Sequence, residues 1–178
     1  MTRAMKVFLA LCCAVLLNVS VSAQQRDPLT DTETDALREF AQDPLKRLKL
    51  LIKFATERLD TVEHLQNEPK IGDRGKRMHD ALEDFRQIVD ELDDNIDDYS
   101  QKNSDLRKPL SDVVGAESSF AIRLEGIQKV GEDAKHADFY KLYSFALQDA
   151  TESVNLSLQD ARKTLDEQNA LYANSKKK

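Results

Sequence analysis

An apolar residue recurs every three or four positions through the middle of this chain. The spacing alternates four and three from Met78 to Tyr99, through Leu82, Phe85, Val89, Leu92 and Ile96. This heptad spacing places an apolar stripe along one face of a helix. No alternating pattern of the kind that predicts a strand competes with it. The stretch therefore predicts a long amphipathic helix that must bury its stripe against partner helices.

Turn-forming residues divide the rest of the chain into further helices. The whole chain has only five glycines and four prolines, so few turns are available. The predicted long helices cover 44–67, 74–101, 105–130 and 138–172. Asp43 is placed to cap the first of them ahead of Pro44, and Asp138 to cap the fourth. The capping-box sequence from Thr30 to Glu33 predicts a short leading helix at 33–41.

Short connections between the long helices favour an antiparallel arrangement of consecutive helices. Four apolar stripes that face one axis would all be buried together. We therefore predict an all-α fold, an antiparallel up-down-up-down four-helix bundle with a short leading helix. The predicted divisions are an N-terminal segment at 24–42, a bundle domain at 43–173 and a disordered basic tail at 174–178. The alternative is a long helical hairpin that dimerises as a coiled coil, which leaves a homodimer open.

The first 23 residues resemble a secretory signal peptide. Arg3 and Lys6 precede an apolar run of about 13 residues, and small residues lead to a cleavage point after Ala23. A membrane-spanning helix needs about 20 apolar residues, so the run is short for one. We expect cleavage before Gln24, with an uncleaved membrane anchor as the alternative. The sequence thus predicts export, with no stable membrane insertion after cleavage.

Processing would remove both cysteines, Cys12 and Cys13, and two positive charges. The formal net charge would change from −6 to −8 on the remaining 155 residues. A small exported chain without disulfides is typical of a bacterial periplasmic or secreted protein, since small secreted eukaryotic domains usually carry them. The acidic balance and the export signal argue against nucleic acid as a partner.

The motifs of common catalytic and cofactor sites are absent from the sequence. It has no Gly-x-Ser-x-Gly, no glycine-rich phosphate loop, no His-Glu-x-x-His and no Glu-x-x-His pair for a diiron centre. The three histidines, His64, His79 and His136, have no second histidine at helical spacing. We therefore predict a protein that is not an enzyme, with no catalytic residues, no metal ligands and no cofactor.

Five acidic residues of the second long helix form the candidate partner-binding face, namely Asp90, Glu91, Asp94, Asp97 and Asp98. Negative charge near a helix C-terminus opposes the helix dipole, so compensation by neighbouring cations is expected. A hairpin that turns near residue 70 places Lys46 level with Asp94 and Lys49 level with Glu91. The two interpretations are a structural pairing of these charges and a face that binds a basic partner. The neighbouring Asp93 is predicted to lie on the outer surface.

Small residues around Gly115 and Ala146 leave room either for a neighbouring aromatic ring or for an apolar ligand. Strict heptad counting would bury Glu117 in the third long helix. Because an isolated buried charge is costly, we expect a one-residue slip that buries Ala116 instead. The sequence thus predicts an exported, non-enzymatic helical bundle that acts through protein–protein contacts. The alternative function is a small-ligand or cofactor carrier with a pocket between the third and fourth bundle helices.

Overall fold

The computed structural model describes residues 26–68, 70–133 and 137–175. All regular structure in these ranges is helical: α1 (Asp31–Glu39), α2 (Pro44–Asn67), α3 (Arg74–Gln101), α4 (Arg107–Gly131), α5 (Ala137–Tyr140) and α6 (Ser144–Ser175). Helices α2, α3, α4 and α6 pack into a four-helix bundle, so the predicted fold class is confirmed. The predicted signal peptide lies outside the described residues, as does most of the predicted basic tail.

The N-terminal caps of α1 and α2 form as the sequence predicts. The Asp43 carboxylate accepts a hydrogen bond from the Lys46 backbone N–H at 3.1 Å, and Pro44 begins α2. Thr30 and Glu33 exchange the two hydrogen bonds of a capping box, 3.2 Å and 2.7 Å long. Helix α1 consequently begins at Asp31, two residues before its predicted start. The bounds of α2 and α3 agree with the prediction.

The fourth predicted helix is interrupted, which corrects the prediction of one continuous helix over 138–172. Helix α5 ends at Tyr140, and α6 starts only at Ser144. The turn between them is held by aromatic packing. The Tyr143 ring packs edge to face on both Phe139 and Tyr140, with ring centroids 5.4 Å apart in each pair. Gly131 lies so close to the Tyr140 ring that a β-carbon there would overlap it. An aromatic corner therefore closes this end of the bundle.

Consecutive long helices run antiparallel, but the chain does not travel around the bundle in sequence order. Helix α2 packs on α3 and α4, and α6 also packs on α3 and α4. Helices α3 and α4 therefore lie across the bundle from one another. The connection between them crosses the end of the bundle, where Leu106 is buried and its N–H donates to the Gln168 side chain at 3.2 Å.

Two pairs of neighbouring helices are consequently parallel. Residues that meet across these pairs are 60 to 64 positions apart in the chain. Between α2 and α4, Arg123 binds Glu63 and Asp60 at 2.7 and 2.6 Å. Between α3 and α6, Asp93 meets Ser157 at 2.6 Å. This parallel contact of α3 with α6 brings together the residues of the candidate site.

The heptad stripe of α3 forms the centre of the core. Every apolar residue of the stripe from Met78 to Tyr99 is buried, and the Phe85 ring packs edge to face on Phe120 of α4 at 5.3 Å. The segment before α2 covers the outer side of α2 and α3. There, Arg58 binds Glu33 at 2.7 Å, and Arg26 binds Asp84 at 2.5 Å.

Candidate functional site

The acidic residues of α3 divide between the two sides of the helix. Glu91 faces α2, whereas Asp90 faces α6 and accepts a hydrogen bond from Ser153 at 3.1 Å. Asp94 and Asp97 are exposed. Asp98 is also exposed and pairs at 2.6 Å with Lys102, the residue that follows the end of α3. The five predicted residues therefore do not form one continuous face.

The cation that compensates Glu91 is Arg47, which corrects the predicted pairing with lysines. The Arg47 guanidinium donates to Glu91 at 3.1 Å and to the Asn95 side chain at 2.5 Å. Lys46 instead pairs with Asp43 at 3.3 Å, and Lys49 pairs with Asp112 of α4 at 3.4 Å. The physical reason is register, since Arg47 is the basic residue of this turn that points into the contact between α2 and α3.

Asp93 is not on the outer surface, and its predicted position is wrong. It lies half-buried at the contact between α3 and α6, where its carboxylate accepts a hydrogen bond from Ser157 at 2.6 Å. Burial raises the pKa of Asp93 to about 6. The hydrogen bond from Ser157 acts in the opposite direction, and the nearby carboxylates of Asp90, Asp160 and Asp97 raise the pKa of Asp93 further.

Glu117 is fully buried, with 0% of its surface exposed, and Ala116 is only half-buried. The predicted one-residue slip is therefore wrong, because α4 keeps its heptad register through the acidic residue. The Glu117 carboxyl oxygen Oε1 contacts the Ser157 hydroxyl, whereas Oε2 has no hydrogen-bond partner. Burial raises the pKa of Glu117 to about 7, and the negative charge of Asp93 also raises it. The hydrogen bond from Ser157 and the positive charge of Arg162 lower the pKa, but by less.

The Ser157 hydroxyl joins these two carboxyl groups and has only one hydrogen to donate. It contacts an oxygen of Asp93 and an oxygen of Glu117 at the same time. Two ionised carboxylates would leave one of the contacts without a hydrogen. The second contact therefore requires a protonated carboxyl group that donates to Ser157. Glu117 is the more deeply buried of the two, so it is the group that carries this proton.

The surface where α3 and α6 meet is an acidic seam, formed by Asp93, Asp97, Ser157 and Asp160. Among the described residues, neither Asp97 nor Asp160 forms an ion pair with a basic side chain. Like charges therefore face one another across two helices, and this arrangement does not stabilise the bundle. It provides a strip of negative charge with a fully buried carboxyl group, Glu117, behind it.

Several grooves lie elsewhere on the surface, and two of them border residues or helices of the predicted sites. One, of about 650 Å³, lies between the N-terminal segment and α3 and is bordered by Arg47, Glu91 and Asp94. The other, of about 520 Å³, lies along α6, with Gln128 of α4 at its edge. Phe145 and Leu156 border this second groove and are 77% and 57% exposed. Neither Gly115 nor Ala146, the small residues around which the pocket was predicted, borders this groove.

The part of the chain that the structure describes contains no group of three or more histidine, cysteine, aspartate or glutamate side chains placed to hold a metal ion. No helix within that part is both long enough and apolar enough to span a bilayer.

Sequence reasoning missed Asp93, Ser157 and Glu117 as one cluster. The signal for Glu117 was present, because unbroken heptad counting places it in the core. The signal for Ser157 was weaker, since a serine between Val154 and Leu158 looks like an ordinary helix residue.

No known family of proteins matches the chain, and neither the curated proteins nor the solved structures include a significant match to it.

Proposed function

We propose that this protein is an exported, non-enzymatic helical bundle that binds a basic segment of another protein along the acidic seam. The observation that supports this function is the unpaired charge of Asp97 and Asp160 beside the half-buried Asp93. Charges arranged in this way repel one another in the free protein, and the charge of a basic partner would relieve that repulsion.

The fold provides a rigid base for such contact. The seam is carried by two long helices whose inner faces are buried, so its charged groups are held at fixed spacing. Binding by charge complementarity weakens as salt increases, because mobile ions screen exposed charges. We therefore expect a complex that forms readily at low ionic strength and dissociates at high ionic strength.

The experiment compares capture of proteins from cell-envelope extract by three purified forms of the protein. These are the wild type, the seam variant Asp97→Asn with Asp160→Asn, and a control variant, Glu39→Gln with Glu132→Gln. The control removes the same number of exposed carboxylates outside the seam. A partner that is captured by the wild type and the control but not by the seam variant would support the function. Equal capture by all three forms would refute it.

Export is part of this proposal and has its own test. We expect protein released from expressing cells to begin at Gln24 and to lack both cysteines. N-terminal sequencing and the intact mass of the exported protein measure this directly. Retention of residues 1–23 in exported protein would contradict cleavage of a signal peptide.

The groove along α6 supports a second candidate function, the transport of a small apolar ligand. Phe145 and Leu156 are large apolar side chains that remain exposed beside a groove of about 520 Å³. Native mass spectrometry of the purified protein would detect a retained ligand as added mass. The replacement Phe145→Ser would remove that mass if the groove holds the ligand. A protein that carries no added mass would leave the protein-binding function as the better account.

A further inference from the structure

The cluster of Glu117, Ser157 and Asp93 connects the interior of the bundle to the acidic seam. Glu117 lies inside, with no exposed surface and with Oε2 unpartnered. Ser157 contacts both carboxyl groups, and Asp93 is half-buried beside the exposed Asp97 and Asp160. A charge placed at the seam therefore acts on Asp93 directly and on Glu117 through Ser157.

We propose that the acidic seam retains one shared proton when it is empty, and that it releases this proton when the cationic group of a basic segment binds. The inference rests on the proposed function, since it names the regulation of the same site. The proton is needed in the empty state, because the single Ser157 hydrogen cannot serve both carboxyl groups. A lysine or arginine beside Asp93 would supply the positive charge that the proton otherwise supplies.

The charged groups around the cluster are consistent with this exchange. From α3, Asp93 and Asp97 place negative charge at the seam, whereas Asp90, which also acts on Asp93, pairs with Arg86 at 2.6 Å. From α6, Asp160 adds negative charge near Asp93, and Arg162 is the cation that acts on Glu117.

The charged side chains at the contact between α2 and α4 already form ion pairs with one another. The α4 residue of each pair lies more than one helical turn from Glu117. Lys49 pairs with Asp112, whereas Asp60 and Glu63 pair with Arg123. Arg162, which is exposed, is a cation that lowers the pKa of Glu117.

Linkage makes the consequence measurable. If binding releases a proton, affinity rises with pH until the free cluster is itself deprotonated. The dissociation constant then falls by up to about tenfold per pH unit where one full proton is released. Protonation and the basic segment compete for the seam, so the site binds weakly in acid and tightly at neutral and higher pH.

The probe is an N-acetylated, C-amidated peptide of alternating lysine and alanine, which has no group that titrates between about pH 5 and about pH 8. Isothermal titration calorimetry in buffers with different heats of ionisation counts the protons released on binding. We expect the wild type to release protons at about pH 6.5, close to the midpoints of the two carboxyl groups. We expect Glu117→Gln to release distinctly fewer, because glutamine carries no ionisable proton.

The two proposals fail in different ways. Equal proton release by the wild type and Glu117→Gln would overturn the exchange while leaving the binding function intact. Absence of peptide binding by the wild type, or binding that Asp97→Asn with Asp160→Asn leaves unchanged, would overturn the binding function itself. A second measurement uses the wild type alone, so its result does not depend on whether the variant folds. Carboxyl ¹³C NMR should show the titration midpoint of the cluster at lower pH when peptide is bound, and an unchanged midpoint would also overturn the exchange.

Discussion

Replacing Glu117 by glutamine should make the bundle more stable at high pH while changing its stability little in acid. The pKa of Glu117 is about 7 in the folded protein, above the ordinary value of 4.5. The folded state therefore binds the proton more tightly than the unfolded chain does. Below about pH 4.5 both states are protonated and the side chain is neutral, so no penalty applies. As pH rises towards 7, the unfolded chain releases its proton first, and the folded state loses stability.

The size of this loss follows from the pKa values. A rise from 4.5 to about 7 corresponds to about 3 kcal/mol, because each pKa unit is worth about 1.4 kcal/mol. Glu117 has no exposed surface, so water does not screen the effect. Glutamine has nearly the same shape, remains neutral at every pH, and can donate its amide hydrogen to Ser157. The variant should therefore avoid the loss that the wild type accumulates between about pH 4.5 and about pH 7.

Urea denaturation at about pH 4.5, 6 and 8 measures the difference in unfolding free energy between the two proteins. We expect Glu117→Gln to gain about 2–4 kcal/mol on the wild type between the lowest and the highest pH. The control is Glu125→Gln on the same helix. Glu125 is exposed and its pKa is lowered by Lys129, so any pH dependence there has the opposite sign. A difference for Glu117→Gln that stays constant across the pH range would refute a proton on Glu117.

The remaining predictions concern the fold and use thermal or urea denaturation. Leu92 is 1% exposed, so Leu92→Ala should cost about 2–5 kcal/mol, and a loss below about 1 kcal/mol would contradict its place in the core. Gly131→Ala should destabilise, because its β-carbon would overlap an aromatic ring, whereas Gly126→Ala has open space and should gain up to about 1 kcal/mol. Arg47→Ala should cost about 1.5–3 kcal/mol through its lost hydrogen bonds, and the exposed Lys46 should tolerate alanine with little change. Equal effects in either pair would refute the assigned contacts.

Local signals predicted the helices well because their physical causes lie within a few residues. The heptad stripe of α3, the cap at Asp43 and the capping box at Thr30 each depend on neighbours in the sequence. The break before Ser144 was missed for a different reason. It results from packing of Tyr143 on Phe139 and Tyr140, and from the lack of space beside Gly131. Periodicity alone does not reveal such contacts.

The order of helices around the bundle could not be derived from short connections. A short connection requires consecutive helices to reverse direction, and both the sequential and the diagonal arrangement satisfy that requirement. The structure has the diagonal arrangement, in which Leu106 of the crossing connection is buried and its N–H donates to the Gln168 side chain. It makes α3 and α6 parallel neighbours. Asp93 and Ser157 meet only because of this arrangement, which is why Asp93 looked like an outer residue in the sequence.

The error at Glu117 shows how a general rule can give the wrong answer for one residue. The rule that an isolated buried charge is costly is sound, but it applies to the ionised group. A carboxyl group that keeps its proton is neutral, and its burial needs only a hydrogen-bond partner. Ser157 is that partner, and it comes from a different helix. The rule and the heptad register therefore do not conflict, since the register buries Glu117 as an acid, and stability falls only where the unfolded chain has released this proton and the folded protein still holds it. It follows that the loss of stability is complete at about the pH where the cluster behind the acidic seam gains negative charge, because both depend on the proton that folded Glu117 holds.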